Sequence, residues 1–112
     1  MKHRESTSNY KGYTARFEVD LEENLIHGRV LSTRDTIIFE GATLSEAKQA
    51  FRDAIDGYLE HCRKKGKVPD RPFSGNFMVR IPTDLHRRAA VTAELRGKSL
   101  NQIVIEALER GV

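Results

Sequence analysis

The sequence predicts an α+β protein made of two small units, a β-β-β-α unit followed by a strand-helix-helix unit. Apolar and polar residues alternate in three short runs between residues 13 and 40, a pattern typical of half-buried strands. A long amphipathic stretch then begins at Leu44, where apolar residues recur at helical spacing. An alternating run at residues 76–81 precedes two short helical stretches. With 112 residues, the chain has room for one domain or two very small ones.

The three strands of the front unit are predicted at residues 13–20, 25–31 and 36–40. Their alternation gives the sheet one apolar and one wet face, and the short connections between them imply an antiparallel meander. Gly28, inside the second strand, is expected at a bulge or at a close contact. The polar segment at residues 1–9 is expected to be frayed.

The helix of the front unit is predicted from its capping residues. Thr43 and Glu46 form a T-x-x-E capping box, so the helix begins at Leu44. Its apolar stripe can cover the apolar face of the three strands. The helix is expected to end in the basic cluster before Gly66, because cations suit the negative end of the helix dipole.

The segment at residues 67–74 is predicted to be a short, stiff linker, because its two prolines prevent regular structure. The predicted units are therefore residues 1–66 and 75–112. Residues 1–60 carry 8 Lys/Arg and 11 Asp/Glu, whereas residues 61–74 carry 5 Lys/Arg and 1 Asp/Glu. The back unit adds 6 Lys/Arg and 4 Asp/Glu. This distribution is expected if the basic end meets phosphate and the acidic front half meets a partner with a basic surface.

The strand of the back unit is predicted at residues 76–81, where two rows of side chains point to opposite faces. The apolar row consists of Phe77, Val79 and Ile81. The outward row consists of Asn76, Met78 and Arg80. Pro82 ends this strand.

Two short helices follow the strand. Thr83 is placed to cap the first, which runs to about Arg96. Gly97 ends it, since a left-handed stop suits glycine best. Ser99 and Gln102 form an S-x-x-Q capping box, which starts the second helix. The apolar residues of that helix make one stripe: Leu100, Ile103, Val104, Ala107 and Leu108.

A lone strand with two short helices buries too little apolar surface to be stable and leaves both strand edges unpaired. A second copy supplies what is missing: two strands pair antiparallel around a two-fold axis, with four helices packed beneath. The sequence therefore predicts a homodimer through residues 76–81. The outward rows then form a two-stranded ribbon of a size that fits the major groove of DNA.

The back unit resembles the ribbon-helix-helix fold of Arc- and MetJ-type repressors, on the R-I-P end of the strand, the L-H-R-R-A-A helix and the S-L-N-Q helix start. The resemblance implies outward residues that read bases: Asn76, Met78 and Arg80. It also implies backbone N–H groups that hold a phosphate, those of Ser99, Leu100 and Asn101. Met78 can contact a thymine methyl but cannot make a bidentate hydrogen bond. A plain dimerisation module with a solvated outer face is the alternative interpretation.

The whole chain, over about residues 10–108, resembles HicB-type antitoxins. The similarity lies in Y-K-G-Y-T-A-R-F-E-V-D followed by I-H-G-R-V, in the helix A-F-R-D-A-I-D-G-Y-L, and in P-F-S-G-x-F-x-V-R-I-P. The resemblance implies a front half that is a reduced, RNase H-like unit and blocks a small HicA-like, mRNA-cleaving toxin by direct binding. It implies a back half that represses the operon of this type II toxin–antitoxin pair at an inverted-repeat operator. A second interface on the front sheet would make the dimer a tetramer.

Carboxylates near the strands allow a different hypothesis, a residual RNase H-like nuclease. Glu18 and Asp20 share a strand face and could approach a metal ion together. A solvated outer face of a half-buried sheet is the favoured interpretation, and Asp53 and Asp56 are expected to face water. We therefore expect that the protein is not an enzyme, that it has no catalytic residue, and that it binds no metal and no cofactor.

The remaining reactive or charged side chains have ordinary interpretations. His27 is expected on the wet face of a strand, with a toxin-binding surface as the alternative. Cys62 is expected as a small core residue. The basic run at residues 63–67, like Arg87 and Arg88, is expected to be solvated, with contact to a DNA backbone as the alternative.

Composition favours a cytoplasmic protein. The resemblance to HicB-type antitoxins implies a bacterial protein that joins the nucleoid when it is bound to DNA. No apolar run approaches the ~20 residues of a membrane helix, and the N-terminus lacks the apolar core of a secretory signal. The single cysteine allows no internal disulfide. An orphan transcriptional regulator without a toxin partner remains the alternative to an antitoxin.

Overall fold

The computed structural model describes residues 6–112 and confirms the α+β class. The described residues form four strands and three helices: β1 Thr7–Tyr10, β2 Tyr13–Asp20, β3 Leu25–Val30, β4 Ile38–Gly41, α1 Leu44–Lys65, α2 Thr83–Leu95 and α3 Leu100–Gly111. The contacts between them divide the chain into two compact units, Met1–Asn76 and Phe77–Val112.

The sheet of the first unit is an antiparallel meander in the order β1-β2-β3-β4. It has one strand more than the three predicted. Residues 7–10 pair with β2 from Thr7↔Arg16 to Tyr10↔Tyr13, so the expectation of a frayed segment is wrong for this part, and residues 1–5 lie outside the described residues. The turn at Lys11 and Gly12 explains the pairing, because both have positive φ, as a tight two-residue hairpin requires.

Helix α1 packs on one face of this sheet and closes the core. The buried cluster contains Tyr13, Ala15, Phe17, Val30, Ala47, Phe51 and Ile55. Phe39 stacks on Phe51 at 5.5 Å between ring centroids. Its ring also lies across Gly28, where an added Cβ would come within 2.1 Å of it. The predicted close contact at Gly28 is therefore confirmed, and any larger residue there would displace an aromatic core side chain.

The predicted caps of α1 are present. The Thr43 side chain accepts the Glu46 N–H at 3.1 Å, and the Glu46 carboxylate accepts the Ala42 N–H at 3.1 Å. At the other end Gly66 adopts a left-handed conformation with φ 68°. Local sequence signals thus fix both ends of the helix that covers the sheet.

The segment at residues 67–74 has no helix or strand, as predicted, but Asp70 anchors it to the first unit. The Asp70 N–H donates to the Tyr58 hydroxyl at 2.8 Å, and the Tyr13 hydroxyl donates to the Asp70 carbonyl at 2.5 Å. The Asp70 carboxylate accepts the Arg34 N–H at 2.5 Å. These contacts, which we call the Asp70 anchor, place the segment in the first compact unit.

The second unit consists of α2 and α3, and it departs from prediction at its start. Residues 76–81 form no strand within one chain, because a strand needs a hydrogen-bonded neighbour and the predicted neighbour is a second copy. Thr83 is the first residue of α2 and not its cap, since Pro82 occupies the cap position and no side chain caps the helix.

The turn between α2 and α3 follows the prediction. Gly97 has φ 68°, and the Lys98 N–H donates to the Ala93 carbonyl at 2.9 Å. Ser99 and Gln102 make both hydrogen bonds of a capping box at the start of α3. Local rules therefore specify the two helices and the turn between them.

Candidate functional site

The segment at residues 77–81 is apolar and exposed. Phe77, Val79 and Ile81, the predicted inward row, are 69%, 58% and 45% exposed, whereas Met78 in the outward row is 90% exposed. Ala93 is the one buried residue of Phe77–Val112, and α3 buries none of its side chains. The second unit thus presents an apolar surface that one chain leaves uncovered.

The three predicted base-reading residues do not form a regular row in the single chain. Asn76 belongs to the first compact unit, and its N–H donates to the Ser74 hydroxyl at 3.2 Å. Met78 and Arg80 are exposed, and Arg80 has no ion pair with any residue in 6–112. Both side chains are therefore open to solvent in the single chain.

The predicted phosphate site lies at the start of α3. The Ser99 N–H is already engaged, since it donates to the Gln102 side-chain oxygen at 2.8 Å. As the first two residues of the helix, Leu100 and Asn101 have N–H groups without an intrahelical acceptor. An anion at this helix start would therefore meet two backbone N–H groups in place of the three predicted.

Several of the basic side chains considered for DNA contact are paired within their own helices. Arg87 contacts the Asp84 carboxylate, and an Arg88 nitrogen lies 3.7 Å from it. In α1, Arg63 bonds Glu60 at 2.5 Å. These ion pairs agree with the predicted solvated faces, and they reduce the net positive charge available to a phosphate backbone.

The front sheet carries one cluster of titratable groups. His27 lies between two carboxylates, with Nε2 at 3.3 Å from Asp20 and Nδ1 at 3.5 Å from Glu40. The Asp20 carboxylate also accepts the N–H groups of Glu22 and Glu23, each at 3.1 Å. The Glu23 N–H and His27 stabilise the carboxylate form, so the pKa of Asp20 lies below its usual value.

The carboxylates considered for metal binding are arranged differently from the prediction. Asp20 meets Glu23 and His27, with one ligand atom of each within 4.8 Å of the others, whereas Glu18 pairs with His27 across the strands. Oxygen and imidazole ligands suit several divalent metals. The Asp20 carboxylate already contacts His27 and two backbone N–H groups, and the absence of a metal stays a prediction.

The two helix carboxylates expected to face water have neighbours. Asp56 accepts the Tyr10 hydroxyl at 3.0 Å and lies 2.8 Å from the Lys11 ammonium. The Lys11 contact is the main reason that the pKa of Asp56 is lowered. Asp53 accepts a hydrogen bond from Gln49 at 3.0 Å. Asp56 therefore connects the β1–β2 turn to α1, and its carboxylate is engaged by Tyr10 and Lys11.

No periodicity in the sequence pointed to β1 or to the Asp70 anchor. The Y-K-G-Y stretch at residues 10–13 was the available signal for β1, because Lys-Gly between two tyrosines suits a hairpin turn. The anchor joins Asp70 to residues 57, 36 and 12 positions away. Contacts of that range leave no local pattern.

Residues 58–108 match the model of the HicB family. The match runs from the last part of α1 through the anchored segment and α2 into α3. No curated protein and no solved structure matches the chain. No helix in residues 6–112 has both the length and the apolar character that crossing a membrane requires. Over these residues the chain is similar to the HicB family, which suggests a HicB-type antitoxin or a related role, with a toxin of the HicA kind as the general class of partner.

Proposed function

We propose that this protein is the antitoxin of a type II toxin–antitoxin pair with two binding tasks. The back unit dimerises through residues 76–81 as a ribbon-helix-helix and represses its own operon. The front unit, a partial RNase H-like domain, blocks a HicA-like, mRNA-cleaving toxin by direct contact. One observation carries the DNA-binding half: Ala93 is the one buried residue of Phe77–Val112.

A unit of this size is not expected to fold on one buried alanine. Domains below about 40 residues usually need disulfides, metals or oligomerisation. The only cysteine, Cys62, lies in the first unit, and so does the metal-ligand group found in residues 6–112, so oligomerisation is the route that remains for the second unit. Covering side chains such as Leu100, Val104 and Leu108, now 37–43% exposed, stabilises a dimer by about 25 cal/mol per Å² of apolar area removed from water.

Pairing of the two exposed segments completes a DNA-reading surface. In an antiparallel ribbon, Met78 and Arg80 of each copy point away from the helices, because neighbouring residues of a strand alternate in direction. A two-stranded ribbon fits the major groove, where arginine recognises guanine. The two-fold symmetry of the ribbon predicts an inverted-repeat operator.

The start of α3 supports this orientation. Leu100 and Asn101 offer N–H groups at the positive end of a helix dipole, which favours a phosphate. Ser99 contributes by fixing the cap and not by donating its own N–H. In a dimer two such helix starts lie on either side of the ribbon axis, as two phosphate contacts of a half-site pair require.

The toxin half of the proposal is supported by the charge of the β2–β3 hairpin, because residues 18–24 carry four carboxylates and no Lys or Arg. A protein that cleaves RNA needs a basic surface for its substrate. The β2–β3 hairpin exposes Leu21 at 88% and Val19 at 68% among carboxylates. Aliphatic side chains within a negative surface offer an anchor and complementary charge to such a partner.

The proposal is tested by titrating the full-length protein against DNA from immediately upstream of its gene, at two salt concentrations, beside a scrambled duplex. Tight, selective and salt-sensitive binding is expected. Arg80→Ala should lose about 1–3 kcal/mol of operator binding for a lost base contact. Arg52→Ala, an exposed arginine of α1, is the matched control and should bind as the parent does.

Equal binding to operator and scrambled duplex would leave the back unit as a dimerisation module only. A separate test co-expresses the chain with the small reading frame beside its gene. Co-purification and restored growth are expected of an antitoxin, whereas operator binding without either would indicate an orphan regulator.

A further inference from the structure

The sheet face opposite α1 carries two adjacent rows of opposite charge. Strand register places Arg16 of β2 directly opposite Arg29 of β3, with Ile38 of β4 next in line. One step along the strands, Glu18 lies opposite His27, which in turn lies opposite Glu40. We call the first set the basic row and the second the acidic row.

The basic row is poorly compensated by the residues that the structure describes. Like charges directly opposite each other destabilise an antiparallel pair. Arg16 reaches one carboxylate, Glu18, at 3.8 Å, and both side chains are more than half exposed. Arg29 makes no ion pair with any residue of the described chain, 6–112. The arginines therefore remain available to carboxylates outside this chain.

The face also has the shape of a docking surface. A hollow of about 530 Å³ spans both rows. Its apolar lining includes Ile38, which is 68% exposed. The hollow contains charged groups of both signs. A partner with only one sign of charge would therefore be attracted by one row and repelled by the other.

We propose that this face docks against the same face of a second copy of the chain. A two-fold axis parallel to the rows interchanges them, so the basic row of each copy lies over the acidic row of the other. The face is thus complementary to itself. A basic protein surface or a nucleic acid backbone lacks the second sign of charge that this face presents.

This interface is independent of the strand pairing proposed for the back unit. If both form, each chain has two different two-fold contacts and the protein is a tetramer. If the back units do not pair, the sheet face alone gives a dimer. Loss of the sheet contact halves the mass in both cases, which separates this proposal from the function proposed above.

The test measures the mass of the full-length protein in solution by light scattering, at low and high salt. We expect the mass to halve at high salt, because the contact is electrostatic and exposed at its rim. Arg16→Glu with Arg29→Glu should halve it at low salt, and so should Glu18→Arg with Glu40→Arg. Mixing the two double variants should restore the parent mass, since an all-acidic face then meets an all-basic one.

The matched control is Lys48→Glu with Arg52→Glu, two exposed residues of α1 that make the same charge change. It should keep the parent mass, and circular dichroism checks that every variant is folded. A parent mass that is independent of salt and equal to that of the reversed variants overturns the proposal, and so does a mixture that fails to reassociate. Reversed variants that keep their mass but no longer bind the toxin would assign this face to the toxin and overturn self-docking.

Discussion

The two units of this chain differ in where their cores come from. The first unit buries a connected cluster of seven residues between its sheet and α1. The second unit, Phe77–Val112, buries Ala93 alone. Both contain well-formed helices, so the difference lies in tertiary contacts and not in local structure.

Helix signals can therefore be complete in a unit that is incomplete by itself. The turn into α3 has its left-handed Gly97 and both hydrogen bonds of its capping box. Those features fix chain direction but bury little apolar surface. Stability must then come from packing, and for the second unit we propose that a second copy provides it.

The largest effect is expected in the core of the first unit. Phe51 is 1% exposed and packs against Phe39. Phe51→Ala should therefore lower the free energy of unfolding by about 3–5 kcal/mol. Denaturant unfolding followed by tyrosine fluorescence measures this selectively, because all three tyrosines lie in the first unit. Arg52→Ala is the control and should stay within about 0.5 kcal/mol. A small loss for Phe51→Ala would show that the first unit does not depend on this core.

The next largest effect is expected for Leu108→Ala, which tests whether a second copy covers α3. Leu108 is 43% exposed in the single chain, so Leu108→Ala would change little if the chain stayed alone. If a second copy covers it, the loss is about 2 kcal/mol or more per chain. Helical circular dichroism during unfolding, repeated at several protein concentrations, measures the difference.

Leu95→Ala is the control for that substitution, because Leu95 is 82% exposed on α2. Equal, small effects of both substitutions at every concentration would contradict a shared core in the second unit.

The Asp70 anchor should make a smaller contribution. Tyr58→Phe removes the acceptor of the Asp70 N–H and should lower the stability of the first unit by about 1 kcal/mol. Tyr10→Phe removes an exposed hydrogen bond to Asp56 and should have a weaker effect in the same fluorescence assay. If the two losses are equal, burial of the anchor has no energetic importance.

The smallest effect is a loss of stability in alkali that is confined to the first unit. Burial raises the pKa of Tyr13 and of Tyr58 above the usual 10.0. The folded state therefore favours the neutral phenols: this contribution is complete below the unfolded pKa and is lost as pH rises through the folded one. Tyrosinate absorbance against pH should show ionisation later than in free tyrosine, with the unfolding signal of the first unit following it. Ionisation at the ordinary pKa would contradict this burial effect.

The parts of the fold that follow local rules could be predicted from the sequence. Strand β2, the Thr43 cap of α1 and the Ser99 cap of α3 are where periodicity and capping residues place them. Strand β1 was missed because its residues are polar and its pairing depends on the Lys11–Gly12 turn.

The candidate site was less predictable, because it depends on contacts between distant residues or between chains. The outward row predicted at residues 76–81 would require a partner strand, and the single chain forms no strand there. Asp20 meets Glu23 and His27 through the β2–β3 turn, and the alternation of a single strand had pointed to Glu18 instead.

The proposed dimer requires that residues 77–81 become a strand only when two copies meet. Amide hydrogen exchange of the full-length protein, measured at high and low concentration, tests this claim directly. We expect alternate amides of the segment to be protected at high concentration, as in an antiparallel ribbon, and to lose that protection on dilution. Rapid exchange of all these amides at every concentration, with α2 and α3 still folded, would contradict it.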